Sequence, residues 1–389
     1  DRVTIADNRS PEGAGRYFSF GANAFVTNSI ISGNEGNSQI TIHETFDENN
    51  GTHVQSADIS YTNFQGYDTG VIDIDGGLTW GTGNIDEDPL FVDAENGDYS
   101  LMANSPCINA GDPASEFDED GSVTDMGTYP YLTDHSGPNW YVSTDGSDIS
   151  GDGSSESPFA SIQSALNFAN ANDNIHVSEG TYYENIIWPH LTSGISLLGA
   201  GVGNSIIDGG GQGTVITIET WIGGGSASQI GNDTQISGFT IQNGSESGIY
   251  LVWAGPTLSN LEIKDNSAQH GGGMYITWSW PIIEDVTIDN NTAQQGGGVF
   301  IYPSGMNGMN ETFNPTTFNN VIFSNNRAIS GEQEGGAIYG GQAVAIEVSN
   351  SLFFNNEANE GGAIFLHNYS SAFLDRVTIA DNIASEGAG

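Results

Sequence analysis

Acidic side chains greatly outnumber basic ones in this chain of 389 residues. There are 49 Asp and Glu against 6 Lys and Arg, a formal net charge of −43. Asp265, Asp289 and Asp381 recur beside an Asn, and two carboxyl groups about 5–9.5 Å apart could hydrolyse a glycosidic bond. However, Asn325 and Asn355 alternate with these aspartates, which favours solvated side chains in turns.

A polysaccharide lyase would need a base and a cation that neutralises the carboxylate of the sugar. The cations are Arg2, Arg9, Arg16, Lys264, Arg327 and Arg376. They are scattered, and the seven His show no ligand spacing. The residues therefore favour a non-enzymatic protein. The charge also argues against nucleic acid and anionic membranes as partners, since both need basic patches.

One acidic loop has a pattern typical of Ca²⁺ sites. Asp118, Asp120 and Asp125 lie in DEDGSVTD, where alternating carboxylates precede a Gly. The loop lacks the distal Glu of an EF-hand, and an ordinary Asp-Gly turn is the alternative. A weaker version of the pattern occurs at Asp145, Asp148 and Asp152. The sequence requires no cofactor, and Ca²⁺ is the only candidate.

Aromatic side chains recur at similar positions in neighbouring segments: Trp253, Trp278 and Trp280, with Tyr250, Tyr275 and Tyr302. Exposed rings could stack on sugars, whereas packed rings would stabilise the fold. Trp278 and Trp280 stand two residues apart, which would place both on one face of a strand. This spacing keeps glycan binding open as an alternative function.

A repeated pattern of about 25 residues must position these groups. Leu261–Ile276 and Val286–Ile301 show it: an apolar alternating triplet, an Asn, a small residue, a Gly pair and a second apolar triplet. Short strands of this kind cannot bury an apolar face alone and must stack as rungs. The pattern predicts an all-β fold, a right-handed parallel β-helix solenoid. A β-sandwich is the alternative, but its hairpins do not require the same Asn and Gly in every strand pair.

An asparagine recurs at the same position in every rung. Amides on successive rungs can stack as a hydrogen-bonded ladder, and Asn tolerates the left-handed backbone of a corner. The predicted ladder consists of Asn266, Asn291, Asn326, Asn356 and Asn382, together with Asn8 and Asn34.

The chain begins much as it ends. Residues 1–15 read DRVTIADNRSPEGAG and residues 375–389 read DRVTIADNIASEGAG, with three differences. Chance similarity between two rungs of one solenoid is the alternative to a tandem repeat. The small number of differences favours a tandem repeat, in which the two segments are the same rung of two successive units. On this interpretation, Asp1 lies inside a rung. Residues 16–34 then resemble the rung that is expected to follow Gly389.

Composition divides the chain further. Residues 1–87 are predicted to be the C-terminal rungs of one unit, 88–131 its closing segment and 132–139 a linker rich in turn residues. Cys107, the only cysteine, lies in an apolar context and is expected to be a small core residue. No apolar run is long enough to span a membrane.

The next unit is predicted to begin with a cap at 140–190 and to continue as rungs through 191–389. The cap contains one helix at 161–170, whose Ile162, Ala165 and Leu166 recur at helical spacing. A short amphipathic helix would cover the open first rung of the solenoid.

Three segments carry a family resemblance. YVSTDGSD and the following residues to GTYYENI resemble the N-terminal cap of secreted bacterial parallel β-helix proteins of the pectate-lyase-like superfamily. Rungs with FSNN or FFNN and GGAIY or GGAIF resemble the repeats of chlamydial polymorphic outer-membrane proteins. DPLFVDAENGDYSLMANSPCINAGDP is similar to the closing segment of bacterial surface β-helix proteins. The resemblance implies the fold and extracellular export, but this fold hosts lyases, hydrolases, adhesins and spacers.

These observations together predict a non-enzymatic extracellular structural protein, a tandemly repeated β-helix in a cell-surface fibre, filament or adhesin shaft. Its partners would be other copies of the unit, head to tail, because contacts of this kind that do not close give open filaments. A glycan-binding adhesin module is the alternative function. A polysaccharide lyase or hydrolase is the third.

Overall fold

Parallel β-strands dominate the computed structural model. It describes residues 1–11, 14–18, 23–36, 38–43, 45–47, 51–53, 56–66, 70–74, 77–189, 192–220, 230–302, 315–329, 331 and 333–389. The chain divides into two compact units. Unit 1 is Asp1–Ser136 with Asp148–Asp152, and unit 2 is Gly137–Ser147 with Gly153–Gly389. One boundary lies inside the predicted linker, whereas residues 148–152, predicted to lie in the cap, belong to unit 1.

Unit 2 is a stack of rungs. Its strands are β12 (Asn139–Val142), β13 (Asn174–Val177), β14 (Gly180–Tyr183), β15 (Ile186–Ile187), β16 (Ser196–Gly199), β17 (Ser205–Asp208), β18 (Thr214–Glu219), β19 (Gln235–Gln242), β20 (Ser247–Val252), β21 (Thr257–Lys264), β22 (Met274–Thr277), β23 (Ile282–Asp289), β24 (Thr292–Ala293), β25 (Val299–Tyr302), β26 (Thr316–Ser324), β27 (Arg327–Ala328), β28 (Ile338–Gly340), β29 (Ala345–Ser349), β30 (Leu352–Phe354), β31 (Ile364–Leu366), β32 (Ser371–Asp375) and β33 (Thr378–Ala380).

Each turn of the chain adds one strand to each of two long parallel sheets in unit 2. The first follows the path β12-β13-β16-β19-β21-β23-β26-β29-β32, and the second runs β15-β18-β20-β22-β25-β28-β31. Sequential strands that return to the same two sheets, always parallel, define a solenoid rather than a sandwich of hairpins. The predicted all-β, parallel β-helix fold is therefore confirmed.

Period-two alternation explains which residues fill the core of unit 2. Ile263 pairs with Ile288 and Ile288 with Phe323 in adjacent strands, so the same strand position forms one column along the stack. All three side chains are completely buried. The intervening Glu262 and Thr287 point outward, since successive strand residues face opposite sides.

The cap of unit 2 contains one helix, α1 (Ile162–Phe168), which is shorter than the predicted 161–170. Ser161 is its N-cap and accepts a hydrogen bond from the Ser164 amide. The helix ends early because Ala169 is extended and the Asn170 amide donates to the Asp173 carboxylate. That turn leads into β13. With seven residues, α1 is too short to cross a membrane, and no other helix in the described residues could do so.

Unit 1 contains β1 (Thr4–Ala6), β2 (Arg16–Phe18), β3 (Asn23–Ser32), β4 (Ile40–His43), β5 (Thr45–Asp47), β6 (Gly51–His53), β7 (Ser56–Phe64), β8 (Val71–Ile74), β9 (Gly77–Trp80), β10 (Phe91–Asp93) and β11 (Asp98–Leu101), with a 3₁₀ turn at Ala94–Asn96. Strands β1-β3-β7-β9 and β2-β4-β8 form two parallel sheets, and β10 pairs with β11 in an antiparallel hairpin. Unit 1 thus also has parallel rungs, followed by an irregular closing segment.

Cys107 lies in the closing segment and is fully buried. Burial raises the pKa of its thiol to about 12, which outweighs the hydrogen bonds from Asn63 and Ser105 that lower it. A thiol that stays protonated and inaccessible is unreactive. The prediction of a small core residue is confirmed.

Candidate functional site

The predicted asparagines of unit 2 lie in one column. The Asn291 Oδ1 accepts both the Asn266 backbone amide and the Asn266 Nδ2, each at 3.1 Å. The same pair of bonds joins Asn291 to Asn326 at 3.2 and 3.0 Å. It continues from Asn326 to Asn356 and on to Asn382. An amide suits this column because it carries both a donor and an acceptor.

Unit 1 has the same contact between Asn8 and Asn34. The Asn34 Oδ1 accepts the Asn8 backbone amide at 3.0 Å and the Asn8 Nδ2 at 2.8 Å. The ladder is thus a structural device of both units, and its buried amides are saturated by neighbouring rungs.

Left-handed backbone falls on the residue before each ladder asparagine, and not on the asparagine itself as expected. Asp265, Asn290, Asn325, Asn355 and Asp381 have φ between 53° and 58°. Asp and Asn are the non-glycine residues that tolerate this region best. The aspartates at this position are therefore explained by the shape of the corner.

The expected column of Asp265, Asp289 and Asp381 does not exist. Asp289 pairs with Lys264 and Ser324, one position earlier in its rung than the other two aspartates. Its carboxylate accepts the Ser324 hydroxyl at 2.6 Å and the Asn325 Nδ2 at 2.8 Å. A shift of one residue turns a strand side chain to another direction, and the spacing in the sequence was too coarse to detect it.

Stacked aromatic rings form a second column, on the second long sheet. Tyr250 and Tyr275 lie 5.0 Å apart, Tyr275 and Phe300 5.2 Å, and Phe300 and Tyr339 4.9 Å, with planes within 18°. Phe365 extends the column at 5.7 Å. Each ring covers the face of the next, which stabilises the stack.

The aromatic prediction was wrong at one position and incomplete at others. Tyr302 pairs with Thr277 and so belongs to a different column from Tyr250 and Tyr275. Phe300, Tyr339 and Phe365 were missed. The signal that could have found them is their constant place two residues after GGG or GGA.

Trp253 and Trp278 stack at 5.0 Å with their planes 7° apart. Both are half-buried. Both also have a left-handed backbone, with φ of 55° and 51°. Strand β22 ends at Thr277, so Trp278 and Trp280 do not share a strand face as predicted. Sugars stack on an open ring face, and in this pair each indole already covers one face of the other.

The three aspartates of the predicted Ca²⁺ loop bind the protein's own donors. Asp118 accepts the Arg2 guanidinium at 2.7 Å and the Asp125 amide at 2.8 Å. Asp125 accepts the amides of Asn109 and Tyr131 at 2.7 and 2.8 Å. Within the described parts of the chain, no three His, Cys, Asp or Glu side chains form a group that could hold a metal. This holds for Asp145, Asp148 and Asp152 as well.

Burial raises the pKa of Asp125 to about 7, and the nearby charges of Asp118 and Asp120 act in the same direction. The hydrogen bonds from Asn109 and Tyr131 lower it but do not cancel the effect. Asp120 accepts the Ser122 amide at 3.0 Å and the Thr133 amide at 3.2 Å. These contacts fold the loop back on itself, which is the predicted alternative of an Asp-Gly turn.

A groove of about 770 Å³ in unit 1 is lined by acidic side chains, among them Asp98, Asp120 and Asp152, with Tyr131. No Lys, Arg or His lines it. The Tyr131 hydroxyl donates to the Gly151 carbonyl, and burial followed by the charges of Asp148 and Asp152 raises its pKa to about 12. Such a groove repels anionic sugars.

Among the side chains that the structure describes, five cations have carboxylate partners. Arg2 pairs with Asp118, and the others form the pairs Arg9–Glu35, Lys264–Glu262, Arg327–Glu357 and Arg376–Asp375. Most are exposed pairs on the rung surface. The pKa of Lys264 is raised by its hydrogen bond to Glu262, so this ammonium is further from acting as a base.

Parallel rungs, an internal asparagine ladder, a helical cap and a closing segment define a parallel β-helix protein. Residues 144–361 match the family model described as Protein of unknown function (DUF1565). That match spans more than half of the chain, and the chain belongs to this family. No curated protein matches the chain.

One solved structure that the chain matches is the crystal structure of alginate lyase from Paenibacillus sp. str. FPU-7. The match covers 57% of this chain and 72% of that chain, with 20% sequence identity and a TM-score of 0.34.

Proposed function

We propose that this chain is a non-enzymatic structural repeat of an extracellular fibre, in which β-helix units follow one another head to tail. The observation that carries the proposal is the near-identity of residues 1–15 and 375–389. The two segments share their backbone as well: φ is 54° at Arg2 and 55° at Arg376, and 55° at Asp7 and 53° at Asp381. The same rung thus occurs in unit 1 and in unit 2.

The packing of the rungs supports a structural function. Ladder amides, aromatic columns and apolar columns all run through successive rungs, and each contact joins nearest neighbours. The acidic surface would keep neighbouring rods apart. Export to the cell surface is supported by the likeness of the cap and closing segment to those of secreted β-helix proteins. The carboxylates of the Asp118 loop accept hydrogen bonds from the protein itself, and the described cations are paired with carboxylates. Both observations favour a structural role over catalysis.

Electron microscopy of the native material tests the fibre. We expect continuous rods whose density repeats once per unit along the axis, with residues 375–389 in the place of residues 1–15 of the next unit. Isolated, capped particles with the mass of one unit would contradict the proposal.

Glycan binding is the second candidate, favoured by the Trp253–Trp278 pair on the rung surface. A glycan array with the intact chain and with Trp278→Ala separates the two functions. The fibre proposal expects no sugar to bind, while a hit that Trp278→Ala abolishes would favour an adhesin. On the fibre proposal, assays for reducing sugars and for unsaturated products at about 235 nm should show no turnover, since the five described cations are already paired with carboxylates.

A further inference from the structure

Two tyrosines stack directly on each other in the aromatic column of unit 2. Tyr250 lies opposite Tyr275 in the parallel pair of strands β20 and β22. Their ring centroids are 5.0 Å apart, and their planes differ by 17°. Neighbouring strands of a sheet lie about 4.8 Å apart, so the rings keep the spacing of the rungs. Among the ring contacts of the described residues, this is the one stack of two phenols.

The neighbours of this pair in the column lack a phenol. Thr217 stands opposite Tyr250 on one side, and Phe300 stands opposite Tyr275 on the other. Phe300 lies 5.2 Å from Tyr275 and 4.9 Å from Tyr339, so a phenyl ring separates the pair from the next tyrosine of the column. A phenyl ring has no O–H hydrogen to lose and forms no phenoxyl radical. The column therefore isolates two phenols in contact.

Both phenols are protonated at neutral pH and accessible at their edges. Burial raises the pKa of Tyr250, and the charges of Tyr275 and Glu219 act in the same direction. Burial also raises the pKa of Tyr275, followed by the charge of Tyr302. Both side chains are only half-buried, so an oxidant in solution can reach them. Oxidation of either ring then removes an electron and a proton together.

We propose that Tyr250 and Tyr275 form an oxidative cross-linking site, at which a peroxidase and hydrogen peroxide couple the two rings into dityrosine. Each phenol loses one electron and one proton. The two phenoxyl radicals join through a bond between ring carbons ortho to the oxygens, and the hydrogens of those carbons move to the oxygens and restore both phenols. One hydrogen peroxide accepts the two electrons and two protons and becomes two waters.

The fold brings the rings together before any radical forms. The outer torsion of a tyrosine side chain has a broad minimum, so the rings can turn from the stack until two ortho carbons meet. Groups held side by side react far faster than groups that must meet by diffusion. The new bond would join two adjacent rungs and constrain the unfolded chain between them, as a disulfide does. The cross-link goes beyond the proposed fibre and would form in a single copy of the chain.

Peroxidase treatment of the dilute, intact chain tests the site. We expect a monomer whose mass is lower by two hydrogen atoms, with dityrosine fluorescence and a proteolytic fragment that joins Tyr250 to Tyr275. Tyr369, which is 93% exposed, reports the competing reaction between molecules, which gives dimers and declines on dilution. A monomer that gains no dityrosine while free tyrosine in the same mixture is converted would overturn the proposal. So would a monomer whose dityrosine joins other residues.

Conservative variants locate the bond. Tyr250→Phe and Tyr275→Phe keep a ring in the column, as Phe300 does in the next rung, and each should lower the yield of monomeric dityrosine by more than about tenfold. Tyr302→Phe and Tyr339→Phe remove phenols near the pair and should change this yield by less than about twofold. A loss in Tyr302→Phe as large as that in Tyr250→Phe would overturn the assignment.

Urea unfolding measures the consequence of the bond. The cross-linked monomer should unfold at a urea concentration higher by roughly 0.5 M than the untreated chain, since the bond restricts the unfolded state. Tyr275→Phe, treated with peroxidase in the same way, should show no such rise. An equal rise in treated Tyr275→Phe would assign the stabilisation to oxidation elsewhere and overturn the cross-link between these rungs.

Discussion

At the scale of single residues, one amide per rung links the core of the solenoid along its axis. Asn326 is fully buried. It accepts two hydrogen bonds from Asn291 and donates to Asn356 and to the Ile288 carbonyl. Neither a carboxylate nor an apolar side chain can both accept and donate these hydrogen bonds. The ladder therefore specifies the register of the rungs in addition to stabilising them.

Asn326→Ala should lower the free energy of unfolding of unit 2 by about 3 kcal/mol, because it leaves buried donors and an acceptor without partners. Asn325→Gly is the control: Asn325 points outward and has a φ of 55°, which glycine adopts freely. We expect a loss below about 1 kcal/mol there. Urea unfolding followed by circular dichroism measures both, and equal losses would contradict the special role of the ladder.

The Asp125 carboxyl should make unit 1 sensitive to pH. Its pKa rises from 3.8 to about 7 on folding, chiefly through burial. The contribution of this group to stability is therefore full below about pH 4 and is lost as the pH rises through 7. Hydrogen-exchange protection of residues 105–131, corrected for intrinsic rates, should fall over this interval.

In Asp125→Asn, the hydrogen-exchange protection should no longer fall as the pH rises. In Asp120→Asn, which changes an exposed side chain, the protection should still fall. A pH dependence that survives in Asp125→Asn would assign it to another group.

At the scale of elements, the cap covers the first rung of unit 2. Helix α1 packs on β12, β13 and β15 and buries Ile162, Ala165 and Leu166. Its first amides do not rely on Ser161 alone. The Glu184 carboxylate accepts the amides of Ile162 and Gln163 at 2.8 and 3.0 Å, which also attaches the helix to the segment after β14.

Glu184→Ala should destabilise the cap by about 1–2 kcal/mol, since it removes two charge-assisted hydrogen bonds at the helix N-terminus. Glu184→Gln should recover part of this loss, because its amide oxygen still accepts. Glu179→Ala changes an exposed carboxylate nearby and should stay within about 0.5 kcal/mol. Urea unfolding measures all three variants, and a silent Glu184→Ala would refute this role.

At the scale of the whole molecule, acidic charge opposes the compact state. With a formal net charge of −43, self-repulsion destabilises folding and also keeps neighbouring molecules apart. Nearest-neighbour contacts between rungs must resist this repulsion throughout.

Screening should therefore raise the melting temperature by several degrees between about 20 mM and 500 mM NaCl. CaCl₂ and MgCl₂ at equal ionic strength should have equal effects, since the Asp118 loop satisfies its own carboxylates. Differential scanning calorimetry measures both series. A larger, saturating shift in CaCl₂ alone would instead indicate a specific Ca²⁺ site.

Most of the fold was predictable because a solenoid is encoded locally. The period, the Gly pair and the recurring Asn are each visible within one rung, and stacking follows from the need to bury each rung's apolar face. The position of a side chain around the rung was less predictable. Asp289 and Tyr302 were each assigned to a wrong column because they follow Asp265 and Tyr275 by 24 and 27 residues, whereas paired residues of these rungs are 25 apart.

The sequence by itself determined the β-helix, the ladder from Asn266 to Asn382 and the likeness of the first and last rungs, because these depend on residue types at a fixed period. Only the tertiary structure decided what the polar and aromatic groups contact. It turned the carboxylates of the Asp118 loop toward backbone amides and Arg2, and it stacked Trp253 on Trp278. These contacts join residues that are far apart in the chain, and their geometry depends on how the chain turns at each corner.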